Sequence, residues 1–150
     1  MAFVNYAKRE IILKIVYYGP GLSGKTSNIQ HIHSGTTPEA RGQLVSLETK
    51  EERTLYFDYL PMSLPQIENF ETRLHLYSVP GQLMYTTNRK QILQNADGVI
   101  FVADSQESRR EANLIMMEDL RENLEAHGFE LDKFPIVIQF NKRDLDDIMS

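Results

Sequence analysis

Several stretches of the chain concentrate β-branched and aromatic residues, and their patterns sort them into kinds. Glu10 to Tyr18 (EIILKIVYY) is a nearly continuous apolar run that ends at a glycine turn, which predicts a largely buried strand. Gly98 to Asp104 (GVIFVAD) and Pro135 to Phe140 (PIVIQF) are also continuous, the pattern of parallel strands covered on both faces. Thr54 to Leu60 and Arg73 to Val79 alternate or nearly alternate, and the Pro- and Ser-containing connection between them predicts an antiparallel pair. Lys25 to about Ser34 turns helical until Gly35 and Pro38 break it. Glu107 to His127 carries apolar residues at helical spacing, with Gly128 as its stop. Strands alternating with helices define an α/β domain. The segment between Gly35 and Arg53 reads as a long connector, and such connectors are usually functional or disordered, which makes it a candidate moving loop.

Composition narrows the chemistry. At 150 residues and 41% hydrophobic content the chain suits a single domain with one continuous core. It has no cysteine, so disulfides, thiolate metal sites and thiol nucleophiles are excluded and a reducing compartment is expected. A formal net charge of −5 argues against nonspecific attraction to nucleic acid, so any anionic ligand has to be held by local groups. The amino terminus lacks the apolar core of a secretory signal, Ala2 excludes N-myristoylation, and the longest strongly apolar run, Gly98 to Ala103, is far too short to span a bilayer. A cytoplasmic protein without a membrane span is expected.

Immediately after the first long apolar run comes Gly19-Pro20-Gly21-Leu22-Ser23-Gly24-Lys25-Thr26, the pattern G-x-x-x-x-G-K-[ST] between a strand and a helix. Glycines allow a concave loop whose N–H groups converge, and the helix that follows adds the positive end of its dipole, so phosphates meet a prepared anion site. Gly19, Gly21, Leu22, Ser23, Gly24, Lys25, Thr26 and Ser27 are the phosphate-binding candidates. Lys25 supplies a point charge for β- and γ-phosphates, and the Thr26 hydroxyl suits Mg²⁺, a hard ion that prefers oxygen. The competing reading is a glycine turn that only joins strand to helix. The loop by itself does not separate ATP from GTP.

Asn141, Lys142 and Asp144, in Asn-Lys-Arg-Asp, follow the Pro135 to Phe140 strand at the edge where open α/β sheets bind ligands. A carboxylate at Asp144 accepts two hydrogen bonds from guanine N1–H and its 2-amino group, both of which adenine lacks. The alternative is a polar turn that ends a strand. Paired with the phosphate loop, the motif favours guanine.

With a Pro-Gly-Gln after the third strand, the chain resembles the Ras-like small GTPases over nearly its whole length. The stretches KIVYYGPGLSGKT, ERTLYFDYLP, RLHLYSVPGQ, DGVIFVADS and NKRDL resemble, more closely, the MglA family of bacterial polarity GTPases of gliding and predatory bacteria. The resemblance implies a P-loop, Ras-like α/β fold with a mostly parallel central sheet flanked by helices. It implies a GTP/GDP switch in a bacterium that controls polarity or motility and hydrolyses GTP slowly without a GTPase-activating partner. Gly81 would sense the γ-phosphate, Gln82 would orient the attacking water, and Thr54 would face Mg²⁺ and the γ-phosphate. Arg53 matches the family's intrinsic arginine finger. A Roadblock-type, MglB-like activating protein, polar effector proteins and concentration at a cell pole are implied partners and placement. Sliding of the Thr54 to Leu60 strand in register is a further implication.

Ser78 departs from the family's Asp-x-x-Gly-Gln pattern, and Asp58 on the neighbouring strand is the candidate replacement for the missing metal-supporting acid. The departure motivates one rival, a nucleotide-loaded scaffold with little hydrolysis that recruits polar partners; an ATP-using P-loop enzyme is another. His31, His33, His75 and His127 read as surface or strand residues, Met116 and Met117 as packing, and Arg109 and Arg110 as a solvated helix face. Ras-like folds continue past the Asn-Lys-Arg-Asp motif with a strand, a base-contacting loop and a helix, so residues 1–150 are expected to be a G domain shortened at its C-terminal end.

Overall fold

The computed structural model describes residues 2–48 and 56–150; Arg53 and Thr54 lie outside the described residues. The strands are β1 (Phe3–Asn5), β2 (Glu10–Tyr18), β3 (Val45–Glu48), β4 (Tyr56–Ile67), β5 (Phe70–Ser78), β6 (Gly98–Asp104) and β7 (Ile136–Asn141). The helices are α1 (Lys25–Gly35), α2 (Thr86–Leu93) and α3 (Arg110–Ala126). All seven strands join one sheet in the order β3-β4-β5-β2-β6-β7, with β1 antiparallel to the start of β2. The centre, β5-β2-β6-β7, is parallel, while β3 and β4 extend it antiparallel.

Alternation along β2 explains the two-sided core. Tyr17 faces Ile29 of α1 together with Leu60, Leu76 and Val102, whereas Val16 and Tyr18 join Phe101 against α3, where Met116, Leu120 and Leu124 pack. Both faces of this strand are therefore apolar, as its continuous pattern requires. Met116 is core packing, as its spacing predicts, and each such fully buried side chain contributes about 1.5–3 kcal/mol. α3 stops where Gly128 takes φ 86°: Gly128 N–H donates to Glu125 O and Phe129 N–H to Leu124 O, the paired bonds that close a helix on a left-handed glycine.

Three expectations need correction. The Pro- and Ser-containing connection is not a loop: β4 and β5 run through it and meet at a tight turn, Glu68-Asn69, with both φ values positive (49° and 68°). Pro61 is tolerated because its carbonyl points outward to Gly42 N–H at 2.8 Å; its nitrogen faces the same way, so no bond to β5 is lost. A register shift between Leu64 and Ile67 accommodates Pro65. Second, the Gly35 to Arg53 connector contains the short strand β3 and a 3₁₀ turn at Pro38–Ala40. Third, β7 is not covered on both faces; it forms the sheet's edge, with Val137, Ile138 and Phe140 exposed. Helix α2, which the sequence reading did not foresee, follows β5 through a 3₁₀ turn at Leu83–Tyr85.

Candidate functional site

The carboxyl ends of β2, β5, β6 and β7 deliver Gly19, Val79, Ser105 and Lys142 to one side of the sheet, the side on which open α/β sheets bind ligands. The Gly19 to Thr26 loop is held there by geometry that its glycines permit. Gly19 (φ 144°) leaves no room for a side chain, because a Cβ would run into Val102 O; Gly24 (φ 106°) is closed off in the same way by the Asn141 amide. Leu22, between them, also takes a left-handed φ of 64° and points into solvent. Gly24 begins α1 without a side-chain cap, so the free N–H groups of the first turn face the loop. A depression of about 280 Å³ lined by Leu22, Gly24, Lys25, Thr26 and Ser27 sits over them.

Lys25 is buried, and its Nζ donates to Gly19 O at 3.0 Å and Pro20 O at 2.7 Å, which aims the ammonium along the loop. Burial first, and then the positive charges of Arg89 and Arg109, pull its pKa down to about 8 against the opposing pull of Asp58. Ser23 Oγ is wholly buried and has no hydrogen-bond partner among the described residues.

Thr26 Oγ1 donates to Asp58 Oδ2 at 2.6 Å, so the hydroxyl of the loop and a carboxylate from β4 meet directly. Asp58 is 2% exposed and is fixed by Ser78, whose Oγ donates to Asp58 Oδ2 at 2.7 Å and accepts from Asp58 N–H at 3.0 Å. A second carboxylate in the place of Ser78 would set two like charges against each other. The hydroxyl instead orients one. This pair fits a hard divalent cation: one hydroxyl, one buried carboxylate and room for waters and phosphate oxygens match the donor set Mg²⁺ uses. No cluster of three or more His, Cys, Asp or Glu able to hold a metal occurs among the described residues.

Gly81 presses directly on the loop: a Cβ there would strike Gly21 N and lie 2.6 Å from Gly21 Cα. Gln82, beside it, is exposed and starts the 3₁₀ turn. At the far side, Asn141 Nδ2 donates to Ser23 O at 2.8 Å, and Lys142 Nζ donates to Asp104 Oδ2 at 3.0 Å. Burial alone would raise the Asp104 carboxyl, but hydrogen bonds from Lys142 and Gln106 outweigh it and hold the pKa below its ordinary value. Asp144 stands exposed two residues after the left-handed backbone of Lys142 (φ 64°). The candidates from Gly19 to Ser27, Gly81, Gln82, Asn141, Lys142 and Asp144 thus share one edge of the sheet.

Arg109 corrects an expectation. It is half-buried rather than solvated, donating from Nη2 to Gly21 O at 2.8 Å and pairing with Asp104 at 3.7 Å, while its neighbour Arg110 is exposed as expected. The sequence reading also missed Asp104 and Arg89. The aspartate at the end of GVIFVAD was legible as a strand end, but nothing local marks its partners at positions 109 and 142.

This fold and loop define a P-loop nucleotide-binding domain of the Ras-like class. No family model matches the chain. It is 58% identical over 145 residues, 97% of its length and 74% of the relative's, to the mutual gliding-motility protein MglA of Myxococcus xanthus (strain DK1622). It is also 27% identical over 141 residues to ADP-ribosylation factor-like protein 6 of Caenorhabditis elegans, covering 92% of this chain and 64% of that one, and equally to the protein of the same name from Caenorhabditis briggsae. The chain belongs to the MglA family of Ras-like small GTPases.

Proposed function

We propose that residues 1–150 belong to the G domain of a cytoplasmic GTP/GDP switch that hydrolyses GTP and regulates polarity or motility in a bacterium. The observation that carries this reading is the bond from Asn141 to Ser23 O. It ties the base-reading corner to the phosphate loop at a fixed separation, which a rigid ligand with a base at one end and phosphates at the other requires. Lys25 and the loop amides hold the β- and γ-phosphates, Asn141 and Lys142 build the base corner, and Asp144 selects guanine.

Thr26 and, by resemblance, Thr54 would hold Mg²⁺, with Asp58 supporting it from the outer shell through water; when bound, the ion would neutralise charge on the phosphates. Gln82 orients the attacking water, and Arg53 supplies a cation to the transition state. The γ-phosphate orders the connector before β4 and the Gly81 loop, and hydrolysis releases them. Partners then read the ordered surface: an MglB-like Roadblock activating protein that raises a slow intrinsic rate, and effectors at a cell pole. The contact of Asp58 with Thr26 supports the hydrolysing switch over the scaffold, whose motive was the acid absent from position 78.

Two measurements test the reading. Single-turnover phosphate release from GTP-loaded protein is expected to be detectable alone and faster with the Roadblock partner; no release under either condition returns the scaffold. Asp58→Ala is expected to raise the Mg²⁺ concentration needed for nucleotide retention by about tenfold or more, the usual effect of removing an outer-shell metal partner. Unchanged Mg²⁺ dependence would remove Asp58 from the metal site.

A further inference from the structure

Arg89 on α2 is the bulkiest side chain among those wholly shielded from solvent, and all five of its N–H donors are used. Nε and Nη2 grip Asp119 of α3 as a fork, at 2.7 Å to Oδ2 and 3.1 Å to Oδ1. Nη1 donates to Pro80 O at 2.9 Å and Gln82 O at 2.5 Å, and Nη2 to Leu83 O at 3.3 Å. Those three carbonyls bracket Gly81, the residue pressed onto Gly21. Asp119 is in turn held by the Tyr18 hydroxyl, by Thr86 Oγ1 at 2.6 Å and by Asn123 Nδ2 at 3.1 Å. Tyr18 is the residue immediately before the phosphate loop.

A buried ion pair is a weak source of stability compared with an apolar side chain of equal volume, so stability alone does not account for a fully desolvated arginine here. Its geometry gives a better account. The Pro80 to Leu83 carbonyls lie outside any strand, and only a planar fork with five donors can take three of them and a carboxylate together; lysine has three donors on a single atom.

We propose that Arg89, set by Asp119, is a positioning residue for hydrolysis: it fixes the backbone on both sides of Gly81 so that Gln82 is presented to the attacking water at the phosphate loop. This rests on the reading of Gln82 given above. A displacement of the order of 1 Å in a positioned group can cost about 10²-fold in rate.

The test measures single-turnover GTP hydrolysis and GDP affinity, with the fold checked by circular dichroism, in the unaltered chain and in Gln82→Leu, Arg89→Gln, Arg89→Lys and Asp119→Asn. Arg89→Gln and Asp119→Asn are expected to slow hydrolysis about 10- to 100-fold with GDP affinity nearly unchanged. Arg89→Lys should recover part of the rate, because its ammonium still reaches some of the carbonyls. Asp119→Asn keeps the shape of the side chain and most of its polar contacts, so it carries the test if Arg89→Gln does not fold. Hydrolysis at the unaltered rate in either folded variant overturns the proposal, as does a fall in GDP affinity parallel to the fall in rate. If Gln82→Leu hydrolyses normally, the reading of Gln82 fails and this proposal with it; if Gln82→Leu is inactive while Arg89→Gln and Asp119→Asn are not, only this proposal fails.

Discussion

Arg53→Ala is expected to slow GTP hydrolysis by about 10³-fold, while GDP affinity stays close to that of the unaltered chain. Charge on the transferring phosphoryl group has to be met by cations, and the arginines described next to the phosphate loop are already engaged. Arg89 spends its five donors on Asp119 and three carbonyls, and Arg109 is bonded to Gly21 O and paired with Asp104. On the proposed reading Lys25 would grip phosphates in the ground state as well as in the transition state, so it would not supply the difference. Arg53 precedes Asp58 by five residues in the sequence, and Asp58 is bonded to Thr26 of the phosphate loop. A group that acts only in the transition state changes rate and leaves ground-state binding nearly alone. Single-turnover release of phosphate, with GDP affinity measured in parallel, checks this; an unaffected rate removes Arg53 from the mechanism.

Asp144→Ala should lower the preference for GTP over ATP by about 10³-fold or more, chiefly through weaker guanine binding. The first two residues of its motif are consumed in construction, Asn141 on Ser23 O and Lys142 on Asp104, which leaves the exposed Asp144 carboxylate as the group free to meet a ligand. Two hydrogen bonds from guanine to a carboxylate are each charge-assisted and have no counterpart in adenine. Competition of GTP and ATP for the variant reads the ratio directly. A preference retained in full would move base selection to another group.

The sequence carried those parts of this structure whose cause is local. β2 and β6 fall where their nearly continuous apolar runs lie, because a strand covered on both faces carries few polar positions and its run stands out from the flanking turns. The phosphate loop was legible because its glycines are demanded by backbone angles and close contacts at Gly19 and Gly24. The hairpin of β4 and β5 was shortened in the reading because Pro61 and Pro65 resemble loop residues; only the outward direction of the Pro61 carbonyl, a tertiary fact, makes a strand of it. Its turn, Glu68-Asn69, lacks the glycine that usually advertises two positive φ values.

The site divides in the same way. Ser78 pointed to Asp58 because a missing acid beside an antiparallel partner is a question that one sequence can pose. Arg89 and Asp119 posed none: an arginine on a short helix and an aspartate thirty positions later look like solvated surface until the fold buries them together. Arg109 escaped for a similar reason, since Gly21, 88 positions away, reaches it only through the fold.

The measurement that bears most directly on the central claim is displacement of a fluorescent guanine nucleotide from the unaltered protein and from Lys25→Ala by GDP, GTP and ATP. A buried ammonium and loop amides that grip phosphates, with a carboxylate that selects the base, predict displacement by GDP and GTP at far lower concentrations than by ATP. They also predict a loss of affinity of about 10²-fold or more in the variant, given roughly 1.5–3 kcal/mol for each charge-assisted bond removed. Equal displacement by ATP, or full retention of nucleotide without Lys25, would contradict it.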